Sequence, residues 1–279
     1  MEILSQRWYE ALLKRRSRRL YEARLISAEV FEKLTFACNE FRPFDTARAV
    51  LTKCSEKVFK GIIGTYGKIR GAPFFIAFIG DTRDPHVKEK VGYTGEGIIV
   101  EATALGLGTC WVGKSFDHMF ASSFATIMEH EQVFAVTPVG YAAAEASFEE
   151  KLLTGFGQTH KREPLTGMVS GLQETEWPEW IRASLLAARV APSAVNRQPW
   201  RFLVESDSIK VSVDNLNDSY GISKRLDCGI AMLHIETAAR VCDVVGKWEL
   251  LDPPGVARFT GRSLKQIATR YPPLTLLFL

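Results

Sequence analysis

Lys14-Arg15-Arg16-Ser17-Arg18-Arg19, followed one residue later by Tyr21, puts five fixed positive charges on six consecutive positions. Like charges this close repel one another, and an anion relieves them. Three readings are open from the run itself. It is the solvated end of a basic helix, the common fate of charge runs. Or it is a nucleic-acid or targeting patch. Or it is a phosphate clamp, in which guanidinium forks bind phosphate oxygens bidentately and Ser17 adds a hydroxyl donor. The residues before it favour a helix. Over 5–15, Trp8, Leu12 and Leu13 fall on roughly one side, and cations at a helix C-terminus are favoured by the helix dipole.

Two more stretches stand out. Ala191-Pro192-Ser193-Ala194-Val195-Asn196-Arg197-Gln198-Pro199-Trp200 reads as a polar turn leading into a strand that buries Trp200. Gly106-Leu107-Gly108-Thr109-Cys110-Trp111-Val112-Gly113 reads as a helix C-cap whose further glycines let backbone lie close to a flat ring.

Composition narrows the classes. The chain has 279 residues, 46% of them apolar and 24% charged, as in an ordinary soluble globular protein. A net charge of +3 is too small for a general nucleic-acid binder. Apart from Tyr21, no stacking aromatics interleave the arginines. No signal peptide is expected, because Met1–Leu13 contains Glu2, Arg7 and Glu10. The apolar run 72–79 is far too short to span a bilayer and reads as a buried strand. Cys38, Cys54, Cys110, Cys228 and Cys242 are odd in number and form no C-x-x-C pair, which fits a reducing cytoplasm. The five histidines show no ligand spacing, so no metal is expected; His234, on an apolar helix, reads as a satisfied core residue. Gly95-x-Gly97 lacks the strand and downstream acid of a dinucleotide fingerprint.

Along the chain, Ser27 caps a helix to about Phe41, with Val30, Phe31, Leu34 and Ala37 inward. Strands are expected over 43–52, 73–79 and 132–136, the last broken by Pro138. Helices are expected over 53–65, from Gly92 to a C-terminal Gly106, and over 116–128. Residues 145–178 read as a linker. A helix over 178–190, a hairpin of 199–205 with 209–213, and an apolar helix over 226–242 follow. The tail Leu274–Leu279 is expected to be a buried strand. A faint repeat runs through this order. Arg42-Pro43-Phe44 echoes Gln198-Pro199-Trp200, and each half supplies an apolar helix rooted at a glycine, Gly92 or Gly229.

Together the three motifs resemble the FMN-dependent nitroreductase family, in its fused single-chain subgroup in which one chain imitates the obligate homodimer. The family's Arg-Arg-Ser-x-Arg-x-aromatic pattern is matched by Arg15, Arg16, Ser17, Arg19 and Tyr21. Its Pro-Ser-x-x-Asn-x-Gln-Pro-Trp strand is matched by Pro192, Ser193, Asn196, Gln198, Pro199 and Trp200. The order departs from the family's, since the second motif lies after the Gly-Leu-Gly segment. The N-terminal half keeps only a degenerate Asn39–Phe44 version, and no Arg-Arg-Ser copy precedes the C-terminal motif.

The resemblance implies an α+β fold of two diverged halves, 1–170 and 171–279, each a mainly antiparallel sheet flanked by helices. It implies FMN as cofactor, with Arg15, Arg16, Ser17 and Arg19 on its phosphate, ribityl chain or ring edge. Ser193 and Asn196, beside Pro192, would reach it from the C-terminal half. Backbone N–H groups of Thr109, Cys110, Trp111, Val112 and Gly113 would face the reactive ring edge. Lys68 stands where the family often carries a cation near N1 and O2, though it also reads as a solvated lysine. Lys161 and Arg162 match a His-Lys-Arg-x-Pro-Leu element that closes the phosphate site, and equally read as a charged linker. The implied activity is hydride transfer from NADH or NADPH through flavin N5 to a small-molecule substrate, with no protein acid or base. Neither nucleic acid nor membrane is an expected partner, and a monomer can hold a complete site. The competing reading is a flavin-binding or basic-patch binding protein without turnover.

Overall fold

The computed structural model describes residues 1–53, 58–59, 69–144 and 161–264. The first helix, α1 (Ser5–Lys14), buries Trp8, Ala11 and Leu12 at i, i+3 and i+4 spacing; Leu13, expected on the same side, is exposed. Next, α2 (Ala28–Glu40) is capped as expected, Ser27 Oγ accepting from the Val30 N–H at 3.4 Å.

The N-terminal sheet contains β1 (Ala47–Lys53), β2 (Phe74–Asp81), β3 (Gly108–Thr109) and β4 (Glu131–Gly140), in the order β1-β2-β4-β3. All its pairings are antiparallel. β2 is buried on both faces. Ile76 and Phe78 point to the main core, and Phe75, Ala77 and Ile79 to a second cluster under α4 (His118–Phe124). That explains its unbroken apolar run.

The expectation that Pro138 breaks β4 is wrong. Val136 exchanges both backbone bonds with Val112 at 2.9 Å, so Pro138, two residues on, faces the same edge. There the neighbouring chain leaves the ladder between Thr109 and Val112. The missing N–H therefore breaks no hydrogen bond.

The C-terminal sheet contains β5 (Val169–Gly171), β6 (Trp200–Val204), β7 (Ser208–Val213), β8 (Val244–Leu250) and β9 (Gly255–Ser263), in the order β5-β6-β7-β9-β8. The 199–213 hairpin forms as expected. β8, β9 and the short β3 and β5 were not expected, and the linker reading of 145–178 gives way over 161–178 to β5 and two 3-10 turns. The expected helix over 53–65, residues 145–160 of the linker, Lys68, Cys54 and the tail strand lie largely or wholly outside the described residues.

The long helices α3 (Val87–Ala104) and α6 (Lys224–Val241) are buried almost all round and pack on each other; α5 (Glu179–Arg189) packs on α6. α3 starts five residues before the expected Gly92. Its glycines are contact points rather than starts. A Cβ at Gly92 would lie 2.1 Å from Leu226 O, and one at Gly229 would lie 2.0 Å from Glu89 O. The two contacts are reciprocal, each glycine meeting the carbonyl three residues before the other. At its C-terminus α3 stops as expected, with Gly106 at φ 80.

The topology repeats. Apart from α4, inserted between β3 and β4, β1-β2-α3-β3-β4 and β6-β7-α6-β8-β9 each run strand, strand, helix, strand, strand, and each sheet orders them first, second, fourth, third. β5 is added to the second sheet parallel to β6. The expected division at 170/171 falls within this strand.

Gly92→Ala or Gly229→Ala must push the crossing apart, so each is expected to destabilise by about 1–3 kcal/mol, as overpacking does. Gly167→Ala projects into open space and is expected to stay within about 0.5 kcal/mol. Urea denaturation of the three variants checks the contrast.

Candidate functional site

The helix α1 ends one residue into the basic run. From there the backbone is extended and laid against two other segments. The Arg18 N–H donates to Thr109 O at 2.7 Å, Arg70 N–H to Arg19 O at 2.9 Å, and Tyr21 N–H to Arg70 O at 3.0 Å. Tyr21 is buried, and its hydroxyl donates to Arg18 O at 2.6 Å. Gly71, at φ 78, permits the approach, since a Cβ there would lie 2.7 Å from Tyr21 O. The basic run is thus an edge beside the glycine-rich segment, which the sequence separates by about ninety residues.

Arg15 turns inward and is 7% exposed. Its Nε lies 3.9 Å from Glu96 Oε1, and its buried Nη1 has no partner. Burial lowers its proton affinity, and Glu96 partly offsets this. Glu96, on α3, is fully buried. Its Oε2 accepts from Trp111 Nε1 at 2.7 Å, and its Oε1 lies 3.0 Å from His234 Nε2. His234 Nδ1 lies 2.8 Å from Ala187 O. A carbonyl only accepts, so Nδ1 is the donor in that contact. His234 is the satisfied core histidine that its sequence position suggested, with a charged neighbour that the sequence did not reveal.

A third segment closes on the first two. Arg162 Nη1 donates to Asn196 Oδ1, and its Nη2 to Val190 O at 3.1 Å. Asn196 Nδ2 and Gln198 Nε2 both donate to Lys161 O, at 2.8 and 3.2 Å. Arg189 Nε donates to Glu163 O at 2.8 Å. Burial holds the proton affinity of Arg162 down, to a pKa of about 10, and repulsion from Arg15, Arg16 and Arg189 adds to it. Among the described residues Arg16, Arg162 and Arg189 donate to carbonyls and an amide rather than to carboxylates. Four guanidinium groups therefore converge, and among the described residues the carboxylate ion-paired with one of them is Glu96, with Arg15.

The loop 193–198 is held in a strained shape. Val195, Asn196 and Gln198 have φ of 51, 58 and 47. Ser193 Oγ accepts from the Gln198 N–H at 2.9 Å. Asp227, on α6, accepts from the Ala194 N–H at 3.1 Å and from Arg197 Nε at 2.7 Å. Burial pushes the Asp227 carboxyl up to about 6 against the pull of Arg197. Arg197 also donates to Ser219 O and Ile222 O, at 3.0 and 2.9 Å. Ser193 and Asn196, expected as cofactor donors, are thus engaged within their own surroundings, and Pro192 is buried.

In the glycine-rich segment the Cys110 N–H donates to Thr137 Oγ1 at 3.0 Å, and the Val112 N–H to Val136 O. Among the described residues the alternate amides, of Trp111 and Gly113, have no hydrogen-bond acceptor. Thr109 Oγ1 is buried without a partner. Cys110 is buried, its sulfur 3.7 Å from Trp111 O, and among the described residues no histidine or carboxylate is hydrogen-bonded to it.

The structure therefore brings Arg15, Arg16, Arg162 and Asn196 together, and sets Ser17 and the backbone of Arg18 against Thr109 at the start of the Thr109–Gly113 segment. Lys68 lies outside the described residues. Glu96, Asp227, Arg189 and Arg197 were missed as site residues. Arg197 lay inside a quoted motif, but nothing in sequence distinguishes a bracing arginine from a solvated one. Among the described residues no group of acidic, histidine and cysteine side chains is placed to hold a metal ion, and no helix is long and apolar enough to cross a membrane.

Comparison with known proteins places the fold. A solved structure from Thermotoga maritima MSB8, described as a "putative nitroreductase", superposes with a TM-score of 0.63 at 20% identity, over 93% of this chain and 95% of that one. A nitroreductase family protein from Clostridium difficile 630 matches 58% of this chain and 96% of its own, at 21% identity and a TM-score of 0.44. A nitroreductase with bound FMN from Bacteroides fragilis NCTC 9343 matches 50% and 90%, at 18% identity and a TM-score of 0.41. No curated protein matches the sequence. The family model described as "Putative TM nitroreductase" matches residues 7–239, and with that match over most of its length the chain belongs to the nitroreductase family.

Proposed function

We propose that this chain is an FMN-dependent oxidoreductase that moves hydride from NADH or NADPH to a small organic acceptor such as a nitroaromatic or a quinone. The observation that carries this reading is the convergence of Arg15, Arg16, Arg162 and Arg189 from separate segments, with Arg15 Nη1 buried and unpartnered. Guanidinium groups repel one another, and a protein that gathers them in a partly dry place provides for a polyvalent anion. A flavin phosphate has the charge and the oxygens for that place.

The residues present fit the cofactor at both ends. Arg15, Arg16 and Arg162 would hold the phosphate, with Ser17 and Arg19 beyond them. The amides of Trp111 and Gly113, without an acceptor among the described residues, would serve the ring, where preorganised N–H donors stabilise developing negative charge. Asn196 fixes Arg162, and Glu96 anchors Arg15 and Trp111 at once. Bound FMN would supply the hydride chemistry itself, and the protein the binding, orientation and electrostatics. Arg15 and Arg16 come from the N-terminal half, and Arg189 and Asn196 from the C-terminal half. The repeated strand, strand, helix, strand, strand order supports the proposal that one chain imitates a family dimer, with halves close to 1–170 and 171–279.

The purified protein is expected to be yellow and to release FMN rather than FAD on heating. NADH or NADPH should bleach the colour, and a nitroaromatic or quinone should restore it. A protein that stays colourless after incubation with FMN overturns the assignment. Bound flavin that no nicotinamide reduces points instead to a flavin protein without turnover.

Arg16→Ala is expected to weaken FMN binding by about 1.5–3 kcal/mol, the scale of a hydrogen bond to a charged group. Arg18→Ala, at the variable position of the motif, should lose less. Fluorescence titration of FMN against both variants reads the difference, and equal losses would reduce the cluster to a diffuse field.

The stoichiometry is expected to be about one FMN per chain, since one Arg-Arg-Ser cluster serves one composite site between the halves. Bound flavin counted against protein, with the mass in solution, checks this. Two per chain would require a second clamp.

A further inference from the structure

Lys114 directly follows the Thr109–Gly113 segment, and its side chain crosses to the C-terminal half. There it lies along the backbone of Gly221. A Cβ at Gly221 would stand 2.3 Å from Lys114 Nζ and 3.0 Å from its Cδ and Cε. Gly221 also has φ 63, a conformation that favours glycine. One residue on, Ile222 packs on Gly113, to which any Cβ would come within 3.1 Å of it.

The turn that carries these contacts is fixed rather than loose. Arg197 donates to Ser219 O at 3.0 Å, Ser219 Oγ at 3.2 Å and Ile222 O at 2.9 Å, and is itself held by Asp227. Tyr220 stands on it, 62% exposed and at φ 61. A bulky residue in the left-handed region persists only where its surroundings over-determine it. Lys114 is exposed, and among the described residues no carboxylate is ion-paired with it. The rim beside the glycine-rich segment thus carries an exposed tyrosine on a fixed turn, one residue before the glycine that the Lys114 side chain lies along.

We propose that Lys114 and Tyr220 select an anionic aromatic compound as the second substrate, the ammonium group taking its carboxylate and the phenol ring lying against its ring. This rests on the FMN reading above, which makes the glycine-rich segment the reactive side. A ring that also carries an anionic group meets both features together; a neutral aromatic meets one.

The test compares para-nitrobenzoate with neutral para-nitrobenzamide on the FMN-loaded protein. Lys114→Met is expected to lower the kcat/KM ratio of the acid to the amide by about three- to fivefold, the upper part of the range for a solvent-exposed ion pair. Gly221→Ala keeps the charge but displaces the lysine stem, and should lower the same ratio. If that variant unfolds at a lower temperature, Lys114→Met alone decides. Tyr220→Ala should reduce kcat/KM for both compounds alike. Calorimetry with benzoate gives a reading without turnover, and Lys114→Met should weaken benzoate binding by a similar factor. This arm also works on protein that takes up no FMN, so failure of the flavin reading and failure of the rim are distinguishable. An unchanged ratio and an unchanged benzoate affinity in Lys114→Met overturn the proposal. So does an effect of Lys114→Met confined to reduction by NADPH against NADH, which would assign the ammonium group to the donor's phosphate.

Discussion

The crossing of α3 and α6 constrains the rest of the molecule. Gly92 and Gly229 bring each helix against the carbonyl oxygens of the other, and both helices are buried almost all round. Yet α3 carries Glu89, Glu96 and Glu101 into this interior. A buried carboxylate left alone costs several kcal/mol, so each must find donors. Glu89 takes Arg225 from the other half. Glu101 takes Trp8 Nε1 at 2.7 Å and Arg7 at 2.8 Å, which fixes α1. Glu96 takes Trp111 and faces Arg15 and His234. The position of the basic run and of the glycine-rich segment follows from where these acids had to be satisfied.

The loop 193–198 shows the converse, a segment whose local preference is overridden. Three residues outside glycine adopt left-handed backbone, among them the β-branched Val195. Each such residue carries strain of about 1–3 kcal/mol. The compensation is visible in Asp227, Arg197, Gln198 and Arg162, which together bond nearly every part of the loop. What the strain achieves is placement. Asn196 reaches both Arg162 and Lys161 O, so the last basic segment is seated by the loop rather than by its own secondary structure.

Much of this was legible in the sequence, where the signal was local. Ser27 capped its helix, Gly106 ended α3, and the 199–213 hairpin had its alternation. The quoted motifs pointed to the segments that converge. The illegible parts share a cause, which is that a distant partner reverses the meaning of a local signal. Gly92, Gly95 and Gly97 looked like the opening of a helix and instead lie within one, because Leu226, Trp111 and Phe41 come close. Pro138 looked like a strand end and stands inside β4, because the neighbouring edge is interrupted beside it. Glu96 looked like one more acid in a glycine-rich stretch. Only the packed structure shows it beneath two of the motifs.

The convergence of arginines from both halves has a thermodynamic consequence. Arg15 and Arg16 belong to one half and Arg189 to the other, and among the described residues the carboxylate ion-paired with any of them is Glu96, which faces Arg15 from its own half. Without an anion, docking the halves brings like charges together. With one, the same groups become a shared grip. An anion that touches both sides binds only the docked arrangement, so by mass action whatever free energy it gains is added to the cohesion of the chain. Anion occupancy and the contact between the two sheet-bearing parts of the chain are in that sense one equilibrium, observed from two sides.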